Sequence, residues 1–371
     1  MFDFLNLFFK SKKEKDRSNS LDLLRFILAI WVLFSHSFFW ATITETISNQ
    51  NLLYKLNLFF SSVFQRNGET HPAVLGFIFL SGYCIHRNGF RFESKISFKS
   101  FFIKRSFRIL PVYWLGIILG FVLFKLSSNL NTPIAQALSG TNSINMEFLI
   151  LKIFGVSSFI PFFHFKSFQG NAPLTTVMVE IWLYISYAFI FFLSFRKRTL
   201  KNIFYVFMFF WAAMFLCVHF FPIYEGWWHN GSFISFSLYW WMGAFFVEIK
   251  NKKSMVSSPY LISASGFFVI LSPFLRTLLF SELKKISLTY LFGLLILRLE
   301  SHWRKTPPLL GGLGSISYSL YAFHAPLVIF LLLFGFQLIF VISIVLSVSL
   351  ISYLIVEKPF LQYGKTLSKK V

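Results

Sequence analysis

Charged side chains are scarce in this chain and make up only 13% of its 371 residues. Soluble domains usually carry about 25%, so the chain lacks the polar side chains that would cover a surface facing water. Hydrophobic residues fill 56% of the positions, and Phe alone occurs 54 times. The charges fall in short clusters between long apolar runs, which is the pattern expected where lipid is the outer solvent.

Cysteine is also rare. The two thiols, Cys84 and Cys217, both fall inside apolar runs. Two cysteines allow neither a disulfide framework nor a paired-cysteine metal motif. We therefore expect both to be small core residues and expect no metal site.

Ten apolar segments approach the length of about 20 residues that a membrane-spanning helix needs. They cover residues 21–40, 72–86, 107–126, 173–194, 202–221, 232–249, 259–272, 286–297, 315–334 and 337–356. The second, seventh and eighth are short. Two more apolar stretches, 52–64 and 146–165, are interrupted by polar residues, and we expect them to be interfacial or re-entrant segments on the outer side.

Acidic residues number only 14 against 35 Lys and Arg, a net charge of +21. In a soluble protein this excess would suggest nucleic acid as a partner. Here 27 of the 35 lie in or beside the segments that are cytoplasmic if the N-terminus is inside and the chain changes sides at every span. The positive-inside rule favours that orientation, and an eleventh span at 146–165 would reverse every later loop.

The sequence thus predicts an all-α fold, a polytopic transmembrane helix bundle of about ten spans with both termini cytoplasmic. Residues 1–20 form a cytoplasmic basic segment, 21–357 the transmembrane domain, and 358–371 a cytoplasmic basic tail. The lipid bilayer is the expected surrounding, and no nucleic acid is expected as a partner.

Two ionisable residues share the first span, Arg25 and His36. Their spacing of eleven residues is about 20° from three full turns and about 16 Å along the axis, so one helix face presents a cation near the cytoplasm and an imidazole in the outer half. Ionisable groups inside a span cost about 2.5–3.5 kcal/mol on insertion scales, which makes them functional candidates. The plainer alternative is that the Arg25 side chain reaches the lipid headgroups and that His36 only packs against its neighbours.

Glu180 and His324 are the other ionisable residues that we single out within spans. Counted from the outer end of its span, Glu180 lies about 10 Å deep, near the expected depth of His36. We therefore expect Glu180 to pair with His36, and a purely structural ion pair is the alternative.

His324 lies near mid-membrane before Pro326. The proline frees a carbonyl one turn earlier and often marks a bend that lines a cavity. A histidine that only packs between helices is equally compatible with this position.

Lys104, Arg105 and Arg108 stand at helical spacing in the second cytoplasmic segment. Such a cluster can hold phosphates at the membrane mouth. Basic residues beside a cytoplasmic leaflet also bind anionic lipid without further function, and charge alone does not separate the two.

Together these segments resemble the membrane-bound acyltransferase 3 family over nearly the whole chain. The resemblance rests on five groups of residues in order: Arg25 and His36; Phe79, Ser81, Gly82 and Tyr83; Lys104, Arg105, Arg108, Pro111 and Tyr113; Glu180 and Tyr184; and the C-terminal set Ser317, Tyr318, Tyr321, His324, Pro326, Glu357, Pro359 and Phe360. The chain departs from the family at Leu23, where Gly is frequent, and in the run that leads to Glu180.

The resemblance implies transfer of an acyl group, usually acetyl from acetyl-CoA, to a hydroxyl of a surface glycan or lipid-linked saccharide in the bacterial inner membrane. Acyl-CoA is then the donor substrate, and no cofactor stays bound. His36 is the expected general base, with Glu180 orienting it. Arg25, Lys104, Arg105, Arg108 and Tyr113 are expected to bind the donor, and Ser81, Tyr184, Tyr321 and His324 to line the substrate pocket.

Direct attack by the acceptor and a covalent acyl-histidine both remain open. A transporter or flippase of lipid-linked saccharide also explains many helices with intramembrane charges, although the sequence has no evident inverted repeat. A glycan polymerase should need more arginines on the outer side.

Overall fold

The structure is a computed structural model of the chain. It describes residues 19–44, 70–90, 98–128, 173–193, 199–221, 232–249, 258–302 except 273 and 276, and 312–370, together with 46, 52, 55, 56, 156–158, 164, 165, 171 and 228. The basic segment 1–18, the stretch 52–64 apart from three residues, and most of 146–165 lie outside the described residues. The expectations for those segments therefore stay predictions.

The described chain is almost entirely helical. Its helices are α1 (Asn19–Ile43), α2 (Pro72–Phe90), α3 (Phe98–Ser128), α4 (Leu174–Leu193), α5 (Thr199–Phe220), α6 (Phe233–Ile249), α7 (Pro259–Leu271), α8 (Leu278–His302), α9 (Ser317–Leu333), α10 (Leu338–Ser352) and α11 (Lys358–Leu367). A 3₁₀ turn, Gly314–Ile316, precedes α9, and a π-helical turn, Tyr353–Glu357, joins α10 to α11. Two short antiparallel strands, β1 (Val156–Ser158) and β2 (His164–Phe165), pair within the predicted outer segment, with Val156 opposite Phe165.

Each of the ten predicted segments coincides with one of the helices α1–α10. The eighth prediction is the least accurate, because α8 begins eight residues before the predicted segment 286–297 and ends five residues after it. Glu282 and Lys285 lie in the first turns of α8, before that apolar run, and both side chains are buried and paired with each other. Judged by length and composition, four described helices are able to cross a membrane: Ser20–Ile43, Lys99–Ser127, Gly314–Leu333 and the continuous Leu338–Leu367.

The outside of the bundle is apolar, as a lipid-facing surface must be. Large apolar side chains are exposed on several helices, among them Phe209, Tyr260, Phe267 and Ile339. Helix α7 has no buried residue along its whole length. Together with the four long apolar helices, this surface identifies a membrane protein.

Helices α2 and α6 approach each other through two glycines. A Cβ atom on Gly82 would lie 2.0 Å from the carbonyl oxygen of Trp240, and one on Gly243 would lie 2.1 Å from the carbonyl oxygen of Phe79. Only glycine permits this separation, because any side chain would overlap the facing backbone. The close approach places Ser81 of α2 beside the indole of Trp240.

Helix α9 forms the centre of the bundle, and 13 of its residues are buried. The Tyr318 hydroxyl donates to the carbonyl oxygen of Ile109 and so ties α9 to α3 at 2.9 Å. Pro326 has no N–H for the carbonyl oxygen of Ala322 one turn earlier. The side-chain amide of Asn171 donates to that oxygen at 2.7 Å, so the carbonyl that the proline frees has a partner from outside the helix.

Candidate active site

Arg25 lies in the second turn of α1, with a partner on its own helix. Its guanidinium donates to Asp22, three residues earlier, at 2.8 Å. Residues three apart face the same side of a helix, so the pair forms locally. Arg25 is only 18% exposed, and this burial distinguishes it from a side chain that reaches out to the lipid headgroups.

Two of the three clustered basic residues on α3 join Arg25. Arg105 and Arg108 line the same cavity as Arg25, and Lys104 and Tyr113 do not. Lys104 is exposed, because it precedes Arg105 by one residue and is rotated by about 100° around the helix. Tyr113 is fully buried, since it follows Arg108 by five residues, which turns it away by about 140°.

A chain of hydrogen bonds links α6, α2 and α4 at this cavity. The Trp240 indole donates to the Ser81 hydroxyl at 3.2 Å, and Ser81 donates to the Tyr184 hydroxyl at 2.9 Å. The Tyr184 hydroxyl donates in turn to the Glu180 carboxylate. The guanidinium of Arg105 lies over the Tyr184 ring, 5.5 Å from its centroid. The carboxylate is therefore held in place by residues from three helices.

The cavity is a cleft between α1, α2, α3, α4 and α9, and the space free of protein atoms within it and at its open mouth is about 730 Å³. Its polar lining residues are Arg25, Ser81, Cys84, Arg105, Arg108, Thr176, Glu180, Tyr184, Ser317, Tyr318 and Tyr321. Three arginines face a single carboxylate in this lining, and Glu180 interacts electrostatically with both Arg25 and Arg105. The excess of positive charge in a largely apolar surrounding suits an anionic ligand such as a phosphate.

Glu180 accepts a hydrogen bond from Tyr184 and lines the same cavity as Arg25, and it makes no ion pair with His36. The expected contact between Glu180 and His36 is therefore wrong. The prediction placed the start of the fourth span at the outer surface. Asn171 and Leu174 are instead fully buried, and the Asn171 amide bonds the backbone of Gly116 in α3 and of Ala322 in α9. Because α4 begins inside the bundle, Glu180 reaches the cavity that Arg25 lines.

The neighbour of His36 is His324. Their ring centroids are 5.0 Å apart and the ring planes are almost perpendicular. The Nδ1 atom of His324 lies 2.8 Å from the Tyr321 carbonyl oxygen, which only accepts, so Nδ1 carries the proton. Nε2 of the neutral ring is then an acceptor, and it is buried with no hydrogen-bond partner among the described residues.

A third histidine, His71, lies beside the same part of α1. The backbone N–H of Ala73 donates to its Nδ1 at 3.2 Å, so His71 caps the start of α2. A neutral ring with Nδ1 accepting carries its proton on Nε2, which donates to the Ser35 hydroxyl at 3.1 Å. The Trp31 ring meets the His71 ring edge-on at 5.2 Å. Sequence reasoning missed His71 because it precedes the second apolar segment.

The two cysteines differ from expectation. Cys84 is partly exposed and lines the cavity, and Cys217 is exposed on α5. Neither is a buried core residue; both lie in apolar runs, but such a run does not say which side of a helix faces the interior. Within the described ranges, no group of three or more His, Cys, Asp or Glu side chains is arranged to hold a metal ion.

The site has two parts. An anion-binding cavity is lined by Arg25, Arg105 and Arg108, and a pair of imidazoles lies farther along α1, about 16 Å from Arg25 for eleven helical residues. Tyr321 joins them, since it lines the cavity and its ring lies 5.7 Å from that of His324. The arrangement can hold a negatively charged group at one end and move a proton at the other.

No curated protein and no solved structure gives a match to the chain. A family model described as an acyltransferase domain matches residues 18–357, which include every residue of the cavity and both imidazoles. The chain therefore belongs to the acyltransferase 3 family and carries a membrane acyltransferase domain.

Proposed function

We propose that this protein transfers an acyl group, acetyl in the first instance, from acyl-CoA in the cytoplasm to a hydroxyl of a surface glycan or lipid-linked saccharide. The observation that carries the proposal is the meeting of Arg25, Arg105 and Arg108 in one cavity whose lining includes Tyr321, the neighbour of His324. The phosphates of the donor bind these arginines. Its long thin arm then carries the thioester past Tyr321 to the imidazoles.

His36 acts as the general base. It takes the proton of the acceptor hydroxyl as the hydroxyl oxygen attacks the thioester carbonyl, a role typically worth about 10²- to 10⁴-fold in rate. The carbon–sulfur bond breaks, and the leaving thiolate takes the proton back as the CoA thiol. A covalent acyl-histidine formed at His36 is the alternative course, and both courses use the same residue.

His324 takes the position next to His36 that Glu180 was expected to hold. Its unpartnered Nε2 is an acceptor that can receive a hydrogen bond from a protonated His36 and so stabilise the imidazolium. Glu180 balances the charge of the arginines in the cavity, and Tyr184 holds the carboxylate in place.

The proposal includes an orientation. All ten helices α1–α10 cross the cytoplasmic membrane of a bacterial cell, and both termini lie in the cytoplasm. This places Arg25 near the cytoplasmic donor and His36 in the outer half, and the acceptor enters from the outside. The distribution of Lys and Arg along the sequence supports this orientation.

The test is transfer of labelled acetyl from acetyl-CoA in isolated membranes. The wild-type protein is expected to move label into saccharide, and His36→Ala is expected to lower transfer at least about 100-fold with normal insertion. His219→Ala is the matched control, because His219 is exposed on α5 and should leave transfer unchanged. Transfer near the wild-type rate in His36→Ala would exclude the base assignment. Movement of lipid-linked saccharide without any labelling would indicate a transporter.

A further inference from the structure

Two aromatic rings, Phe77 of α2 and Tyr321 of α9, line the part of the cavity where Tyr321 meets His324. Both residues line the cavity, whereas His36 and His324 do not. The centroids of the two rings are 5.4 Å apart, with an angle of 59° between the planes. Aromatic rings at this separation are in direct contact, so the two rings together form the wall of the cavity beside the histidine pair.

Tyr321 connects the cavity to the imidazoles. Its ring lies 5.7 Å from His324, which lies 5.0 Å from His36. Tyr321 is 7% exposed, and its side chain forms a hydrogen bond with Thr176 on α4. The Tyr321 ring is therefore held between α2, α4 and the histidine pair. Phe77 is only partly buried and has no polar group to fix it, so it is the more movable member of the pair.

We propose that Phe77 and Tyr321 set the size of the acyl group that the protein accepts. The inference rests on the proposed function, in which the thioester arm passes from the arginines to His36. The arm displaces Phe77 as it passes, and an acetyl group then adds only one methyl beyond the thioester carbonyl, which fits beside the two rings. A longer chain must fill the space that the Phe77 ring occupies, and one extra methylene in a tight apolar site changes discrimination by about 10–200-fold.

Two measurements on the full-length protein in nanodiscs test the proposal. The first is competition by S-ethyl-, S-butyl- and S-hexyl-CoA thioethers against labelled CoA, which requires no transfer. In the wild type we expect affinity to fall at least tenfold from S-ethyl to S-hexyl, and in Phe77→Ala to vary less than threefold. The second is the ratio of kcat/KM for butyryl-CoA to that for acetyl-CoA, which Phe77→Ala should raise at least tenfold.

Two further variants provide controls. Phe330→Ala removes a partly buried phenyl ring from α9 that packs on Phe334 at 4.6 Å, away from the cavity, and should leave both chain-length dependences as in the wild type. Phe77→Leu keeps an apolar side chain in place and should give an intermediate selectivity, which covers the case that Phe77→Ala does not fold.

The outcomes separate the two proposals. A chain-length penalty in thioether binding that Phe77→Ala abolishes, without any acyl transfer by the wild type, would support the role of the rings and reject the proposed reaction. Transfer by the wild type with the same chain-length dependence in Phe77→Ala and Phe77→Leu would reject the role of the rings and leave the reaction standing. Absence of CoA binding would overturn both.

Discussion

The side-chain amide of Asn171 donates to the carbonyl oxygen of Ala322, the acceptor that lacks its helical partner because residue 326 is proline. This bond joins the start of α4 to the middle of the bundle. It explains why Glu180, nine residues later, lines the same cavity as Arg25. A single side chain thus sets the depth of the helix that carries the carboxylate of the site.

The bond between Asn171 and Ala322 can be tested for its stability contribution. Asn171→Ala leaves a buried carbonyl without its donor, and we expect it to lower the free energy of unfolding by about 1–3 kcal/mol. Pro326→Ala supplies a backbone N–H to Ala322, so Asn171→Ala should cost about 1 kcal/mol less in that background. Unfolding in detergent measures both effects. Equal costs in the two backgrounds would contradict the assignment.

The close approach of α2 and α6 at Gly82 and Gly243 predicts that the cost of replacing a glycine depends strongly on its position. Gly82→Ala and Gly243→Ala place a methyl group about 2 Å from a backbone oxygen, and we expect each to destabilise the protein by about 1–3 kcal/mol or more. Gly266→Ala on α7 meets no atom within 4 Å and should be neutral or stabilising, by up to about 1 kcal/mol. Thermal unfolding of the three variants checks this order, and similar melting temperatures for all three would refute it.

Two neighbouring basic residues of α3 should differ in their effect on the donor. Arg108→Gln removes a cavity cation and is expected to weaken CoA binding about 10- to 100-fold, in line with about 1.5–3 kcal/mol for a hydrogen bond to a charged group. Lys104→Gln removes the same charge outside the cavity and should change the dissociation constant less than twofold. Equilibrium binding of labelled CoA distinguishes the two. Equal losses would point to general attraction by the basic segment.

His71 is expected to act through two separate bonds. His71→Ala removes both the cap of α2 and the bond to Ser35, and we expect a loss of about 1–2 kcal/mol. Asn is also a good capping residue, so His71→Asn should restore the cap and lose only the contact with Ser35. Because Ser35 precedes His36, both variants should lower kcat more than they raise KM. A change confined to stability would mean that His71 has no influence on the reaction.

The sequence was sufficient for the helices and for the spacing of several residues that line the cavity. Long apolar runs predicted ten segments, and each coincides with a helix, because apolar length is a local property that needs no knowledge of neighbours. The spacing of Arg25 and His36, and of Arg105 and Arg108, likewise follows from the regular turn of one helix. The freed carbonyl before Pro326 was also predictable from the missing N–H.

What failed were predictions that compared different helices or different sides of one helix. Glu180 was placed at the depth of His36 because its helix was assumed to start at the outer surface. Lys104, Tyr113 and Cys217 were assigned from their type and their run, without knowing which direction faces the interior. No rule within a single segment gives that direction when every side of the helix is apolar.

The sequence by itself determined a membrane protein of many helices with buried charges, and the family resemblance that those charges carry. Only the tertiary structure decided which charges meet. It brought three arginines to one cavity, gave His36 a histidine as its neighbour in place of a carboxylate, and added His71 from a position before a helix. The physical reason is that composition and periodicity act along the chain, whereas the depth of a helix depends on bonds such as that of Asn171, made between residues far apart in sequence.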